Sequence, residues 1–386
     1  MDLRFSPEEE AFREEVRTFL RAELPVDARP DRADGWQFHR SFIRKLADRG
    51  WNTLGWPKEW GGQGAGHLTQ LVFNEEMAYA DAPSTDLGVD RVGPTIILYG
   101  TGEQKQRFLP PIVRGEAIWC QGFSEPGAGS DLASLQTSAV EDGDTFIING
   151  SKVWTSFAHL AEWMILLART DPDAPKHKGI SYFLLDMKTP GITVRPLVDM
   201  LGRHTFNQVF FDNLRVPRDC LVGEKDRGWY VATTTLDFER SGIARVMGGI
   251  RTYEQLVAFA ADALRTGAIR EAARPVRWRL ADLRIEYEVG RMLAYRVAWL
   301  QSRNQVPNYE ASVSKMFGSE LAQRLAGTGM QLMGMAGQLA PGSPWAPLHG
   351  RIEAMYLGAA ALTIAAGTSE INRGIIAGRG LGLPRA

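Results

Sequence analysis

The 386-residue chain carries only two cysteines, Cys120 and Cys220, too few for a disulfide scaffold or a thiolate metal cluster and in keeping with a reducing compartment. Histidine is scarce as well: the six, at positions 39, 67, 159, 177, 204 and 349, show no metal-ligand spacing. No charge sign dominates. Lys plus Arg total 44 against 45 Asp plus Glu, which leaves no overall field for nucleic acid or an anionic membrane, so a polyanionic ligand must be met by local groups. The longest nearly apolar run, Met355 to Ala366, is far too short to cross a bilayer and is rich in Ala and Gly. The amino terminus lacks the basic stretch of a targeting peptide and reads Ser6-Pro7-Glu8-Glu9-Glu10, a helix N-cap followed by proline and acids at the positive end of the helix dipole. These absences predict a cytoplasmic protein with no metal, no nucleic-acid partner and no membrane span.

Hydrophobic residues make up 44% of the chain, enough for a substantial core. Apolar residues recur at helical spacing from Ser6 to about Gly115, as in Phe12, Val16, Phe19 and Leu20. The pattern then changes. Thr145 to Ile148, Trp163 to Leu167, Ile180 to Leu185 and Gln208 to Phe211 are short β-prone runs separated by Asp-Gly, Asn-Gly and Pro-Gly turns. Beyond Gly228 helical spacing returns through Thr233 to Leu264, Pro275 to Arg303, Tyr309 to Met335 and Arg351 to Ala366. The expectation is an α+β protein with an N-terminal helical domain (1–117), a middle β-sheet domain (118–224) and a C-terminal helical bundle (225–386).

Three stretches have the composition of ligand loops. Phe123-Ser-Glu-Pro-Gly-Ala-Gly-Ser-Asp131 follows a predicted strand and packs two glycines, a proline and two serines into one bend, so backbone N–H groups and hydroxyls can approach a ligand closely. By itself such a bend is more often a tight surface turn. Lys152-Val-Trp-Thr-Ser156 places an aromatic face and two hydroxyls at the end of a strand, where Trp154 can lie against a planar ring. Ala366-Gly-Thr-Ser-Glu-Ile-Asn-Arg373 is a helix break followed by capping residues, with exposed N–H groups suited to a carbonyl or an anion.

In this order and across this helix, strand, helix layout, the three stretches resemble the acyl-CoA dehydrogenase family over nearly the whole chain. The resemblance implies the acyl-CoA dehydrogenase fold, with a C-terminal four-helix bundle, and FAD-dependent dehydrogenation of an acyl-CoA to the trans-2-enoyl-CoA. It implies cofactor contacts from Phe123, Ser124, Gly129, Ser130, Trp154, Thr155, Ser156, Thr368 and Glu370, with Ser130 also near the CoA chain. Gln331-Leu-Met-Gly334, followed by Gly337, resembles the Gln-x-x-Gly-x-x-Gly segment that reaches FAD across a subunit boundary. Gly88 to Val92 and Ser156 to His159 are the candidates for the acyl pocket.

The α proton of a thioester is weakly acidic, so this chemistry needs a base and a donor to the developing enolate oxygen. Most family members place a Glu immediately before Gly-Thr-Ser, but here Ala366 stands there. A backbone N–H at Ala366 still suits the carbonyl. Asp237-Phe-Glu-Arg240 resembles the alternative base position of the isovaleryl-CoA and long-chain branches, which makes Glu239 the candidate base and turns Asp237 and Arg240 toward CoA. Glu239, Ile243, Val246 and Ile250 also fall on one helical face, setting the carboxylate in an apolar stripe that raises its pKa.

The family's Arg-x-x-Phe-Gly is missing between Leu264 and Pro275. Its absence leaves open an FAD-sharing partner subunit of a heterotetramer, and the absence of the usual Glu leaves open a flavin enzyme of this fold performing oxygenation or β-elimination. The expected partners are an acyl-CoA, an electron-transferring flavoprotein, and copies of itself or a related chain in a tetramer.

Overall fold

The structure is a computed structural model that describes residues 4–25, 35–83, 86–240, 242–267 and 274–384. The chain separates into two compact units. One comprises Met1–Arg29, Gly66–Ser84 and Arg240–Ala386; the other comprises Pro30–Ala65 and Thr85–Glu239.

The second unit begins with helices α2 (Gly35–Asp48), α4 (Gly93–Tyr99) and α5 (Gly102–Val113); α1 (Pro7–Glu23) and α3 (His67–Tyr79) belong to the first. Next come strands β1 (Trp119–Gly122), β2 (Ser138–Asp142), β3 (Thr145–Lys152), β4 (Trp163–Arg169), β5 (Ile180–Asp186), β6 (Ile192–Leu197), β7 (Phe206–Pro217) and β8 (Leu221–Val222). Their sheet order is β6-β7-β3-β2-β4-β5-β8, with β1 parallel to β4. The near-continuous apolar runs of β4 and β5 reflect burial on both faces. Met164, Leu166, Phe183 and Leu185 meet Phe146, Ile148, Val209 and Phe211. From the other face Ile165, Leu167, Tyr182 and Leu184 meet Val92, Ile96, Phe108 and Ile112. Strands β2, β6 and β8 are additions to the sequence reading. The unit closes with α6 (Gly228–Arg240).

The first unit is helical: α1, α3, α7 (Ala244–Met247), α8 (Ile250–Arg265), α9 (Arg274–Ser302), α10 (Tyr309–Met333), α11 (Arg351–Leu362) and α12 (Ser369–Ile375). Its core joins Leu71, Val246, Ile250, Leu256, Leu283, Tyr287, Leu321 and Leu325. A buried polar knot ties α1, α3 and α9 together. Glu75 accepts from Arg13 at 2.8 Å, Arg291 at 2.6 Å and Tyr295 at 2.8 Å, so the carboxylate removed from water keeps charged partners and hydrogen bonds. Among the described residues no helix is long and apolar enough to cross a membrane.

The expected helix from Thr233 to Leu264 is corrected. It is three helices, because α6 stops at Arg240, α7 spans one turn and α8 starts at Ile250. Glycines 242, 248 and 249 supply the breaks, glycine being a poor helix former. Gly249 also lies where an added Cβ would sit 2.4 Å from the Tyr287 hydroxyl. Ile243, Val246 and Ile250 are buried as expected, but Glu239 does not share one continuous helix with them.

Candidate active site

Two of the predicted loops meet in the strand-bearing unit. Phe123 to Asp131 leaves the end of β1 and is pinched by mutual backbone bonds between Glu125 and Ala128, at 2.9 and 3.0 Å, with Pro126-Gly127 at the tip. Where the tip emerges, a Cβ added at Gly127 or Gly129 would meet nothing within 4 Å, and Ser130 is exposed. The Phe123 ring points inward, edge-on to Tyr182, so only its backbone is left to face a ligand.

A buried ion pair, which the sequence reading missed, joins this loop to the end of β3. Lys152 Nζ donates to the Glu125 carboxylate at 2.7 Å and to the Phe123 carbonyl at 3.0 Å. Glu125 also accepts from the backbone N–H groups of Gln136 at 2.7 Å and Thr137 at 2.9 Å. Burial pushes the Glu125 carboxyl upward, but Lys152 and the hydrogen bonds from residues 136 and 137 outweigh it and hold the group below the usual carboxylate range. Val153 N–H donates to the Ser124 carbonyl at 2.9 Å, bringing the second loop alongside the first.

That second loop turns sharply after β3. Trp154 adopts φ +59° and Phe157 φ +56°, left-handed values that side-chain-bearing residues rarely take. Trp154 is 62% exposed and touches Phe206 edge-on, so its face is open. Thr155 is fully buried, and its hydroxyl oxygen has no protein partner among the described residues. Ser156 is half-buried. Asp237, Glu239 and Arg240 fall in the last turn of α6, with side chains outside the described residues.

The remaining candidates lie in the helical unit. Ala366 adopts φ +57° and Gly367 φ +83° in the loop after α11, which stops at Leu362 rather than running to Ala366. No hydrogen bond is recorded from the Ala366 N–H among the described residues. Thr368 caps α12 by accepting from the Ile371 N–H at 3.1 Å. Glu370 is exposed, and its own backbone N–H and the Thr368 hydroxyl hold its carboxyl below the usual range. Buried Lys315 and Asn372, also missed in the sequence, secure this loop through its carbonyls. Gln331 lies near the end of α10, its side chain accepting from Arg279. Gly334 follows with φ +56° and ψ −133°, a conformation open essentially to glycine alone.

With this geometry in view, comparison with known proteins is decisive. Models of the acyl-CoA dehydrogenase N-terminal, middle and C-terminal domains match residues 6–116, 120–214 and 226–381. The chain belongs to the acyl-CoA dehydrogenase family. Its membership makes it an oxidoreductase and confirms the α+β fold expected from the sequence. Acyl-CoA dehydrogenase FadE26 of Mycobacterium tuberculosis is 37% identical, with 100% of each chain covered. Among solved structures, the Tcur3481-Tcur3483 steroid ACAD superposes with a TM-score of 0.91 at 36% identity, covering 100% of both chains. The ChsE4-ChsE5 complex of Mycobacterium tuberculosis gives a TM-score of 0.88, also at 36% identity and over 100% of both chains. Acyl-CoA dehydrogenases are flavoproteins, and family membership implies FAD here.

Proposed function

We propose that this acyl-CoA dehydrogenase oxidises the α,β bond of a CoA thioester whose acyl group carries a bulky, steroid-like ring system. The observation that carries the FAD part is the Thr155 hydroxyl, buried with no partner among the described residues and next in sequence to the exposed Trp154. A buried hydroxyl left unpaired is unfavourable, and a flavin edge satisfies it. The open backbone at Gly127 and Gly129 fits the same group. The substrate class is supported by the full-length similarity to the steroid ACAD.

In this reading Trp154, Thr155 and Ser156 would hold the flavin. Ser124, Gly129, Ser130 and the Phe123 backbone hold the cofactor from the other loop. Thr368 and Glu370 contact it from the start of α12, and Gln331 and Gly334 reach the cofactor of a neighbouring copy. Glu239 removes the α proton while the Ala366 N–H donates to the thioester carbonyl, where enolate charge develops. Asp237, Arg240 and Ser130 bind the CoA portion. Bound FAD supplies the acceptor for the β hydrogen, which leaves as hydride. An electron-transferring flavoprotein receives the electrons.

The test is to purify the chain alone, quantify FAD per subunit and add a steroid side-chain acyl-CoA anaerobically. The expected result is about one FAD per chain, bleached by that substrate and not by Glu239→Gln, which retains its flavin. A Glu239→Gln enzyme that bleaches normally removes the base assignment. The missing Arg-x-x-Phe-Gly and the pairing of two chains named in the similar structures favour a second reading, a heterotetramer with a related chain. A colourless chain that gains flavin only when co-expressed with that partner would select it.

A further inference from the structure

We infer that Asn207 is a positioning residue for the flavin-facing turn, its carboxamide fixing where the Thr155 and Ser156 hydroxyls stand. This rests on the proposal that the turn binds FAD. Asn207 is the second residue of β7 and is completely buried. Its backbone carbonyl accepts from the Thr155 N–H at 3.0 Å, and its side-chain Nδ2 donates to the Thr155 carbonyl at 3.0 Å. Both backbone polar groups of Thr155 are thus held by one residue, from a strand 52 positions away. One bond further along, the Phe157 N–H donates to the Thr205 carbonyl at 2.9 Å.

The rest of the carboxamide is committed as well. Nδ2 lies 3.1 Å from His159 Nδ1, and Oδ1 lies 2.7 Å from His204 Nε2. The two imidazoles stack with centroids 3.8 Å apart. Because the Thr155 carbonyl can only accept, the nitrogen of the amide must face it. His159 Nδ1 is then an acceptor and His204 Nε2 a donor, so one carbonyl fixes the amide orientation and the tautomers of two histidines.

The turn needs such outside support. Trp154 and Phe157 hold left-handed backbone within four residues of each other, conformations that persist only where surrounding structure over-determines them. Asn207 meets the turn between those two residues, at the one whose hydroxyl is left for the cofactor.

Asn207→Ala and Asn207→Asp, each compared with wild type, test the inference through FAD dissociation constants from flavin fluorescence, the visible flavin spectrum and the melting of the FAD-free chain. Alanine keeps the backbone bond to Thr155 and removes the amide. It is expected to weaken FAD binding at least tenfold and shift the flavin spectrum, with a much smaller change in melting of the FAD-free chain. Aspartate keeps the shape but sets an acceptor against the Thr155 carbonyl and His159 Nδ1. Its binding defect is expected at neutral pH and to be relieved in acid, where a protonated carboxyl can donate to that carbonyl, a pH profile that a packing defect does not produce. If alanine does not fold, the aspartate profile decides alone. Wild-type affinity and spectrum in the folded variants overturn the inference, as does an aspartate defect that is independent of pH. A wild-type chain that takes up no FAD, alone or with a partner chain, overturns instead the flavin reading beneath it.

Discussion

The Lys315 ammonium, buried in α10, donates to the Gly367 carbonyl at 2.7 Å and to the Leu362 carbonyl at 3.1 Å. One cation therefore binds both ends of the loop between α11 and α12. Asn372 adds bonds of 2.9 Å to the Gly367 and Thr368 carbonyls. Ala366 sits inside this brace with its N–H uncommitted among the described residues, and the brace keeps that donor in a fixed place.

Replacing Lys315 with Met removes two charge-assisted bonds while filling similar volume. The expected loss is about 2–3 kcal/mol of stability, with kcat falling more than KM rises, because the Ala366 N–H is proposed to act on charge that develops during the reaction. Thermal melting and steady-state kinetics check this; unchanged kcat in a folded variant would separate the loop from the chemistry.

The Lys152–Glu125 pair makes a second stability prediction. Glu125→Gln leaves a buried ammonium without its counter-charge and is expected to destabilise by about 3 kcal/mol. The wild-type carboxyl lies below its ordinary 4.5 in the folded state, so its contribution is present above that value and lost as pH falls through the folded pKa. Acid denaturation of Glu125→Gln should be correspondingly flatter in that window, as followed by far-ultraviolet circular dichroism.

Asp86 has the opposite sign. Its carboxyl lines a pocket with His39, Arg40 and Asn52. Burial first, then Asp90 and Glu162, push it up to about 7 against the hydrogen bonds from the Gly88 and Trp119 backbone. The folded state favours the protonated form, so this contribution is full below the ordinary 3.8 and is lost as pH rises through about 7. Asp86→Asn cannot ionise and still accepts from Gly88. It should match wild type near pH 3, diverge as pH rises above 3.8 and be more stable at pH 8 by about 4 kcal/mol. Equal stability at both pH values would mean that Asp86 titrates normally.

The loops were legible in the sequence because their chemistry is local: Pro, Gly, Ser and Thr crowded into a few residues signal close backbone approach wherever the chain folds. The helical and sheet regions were legible from their periods. What escaped depends on distance along the chain. Asn207 matters through Thr155, 52 positions away, and Lys315 through Gly367, 52 positions away; neither has a local signature. Strand β6 has alternating burial but contains Arg195 and Pro196, and sits at the sheet edge where proline is tolerated. The supposed stripe from Glu239 to Ile250 failed because periodicity alone did not weigh Gly242, Gly248 and Gly249.

Position 366 tests where the base acts. Alanine at φ +57° is held in a conformation that glycine adopts without strain, so Ala366→Gly is expected to gain about 1 kcal/mol and to keep activity, since the proposed donor is the N–H. Introducing Glu at the same place supplies a carboxylate next to that donor. If Glu239→Gln fails only for want of a proton acceptor, the double variant Glu239→Gln/Ala366→Glu should recover turnover at least tenfold above Glu239→Gln, within the range a positioned base contributes. Anaerobic flavin reduction in a stopped-flow instrument measures the step directly. Recovery would mean that both positions serve one α proton; a double variant that holds FAD and stays inactive would mean that Glu239 does something a carboxylate at 366 cannot replace, and the search for the base would return to the residues around the acyl chain.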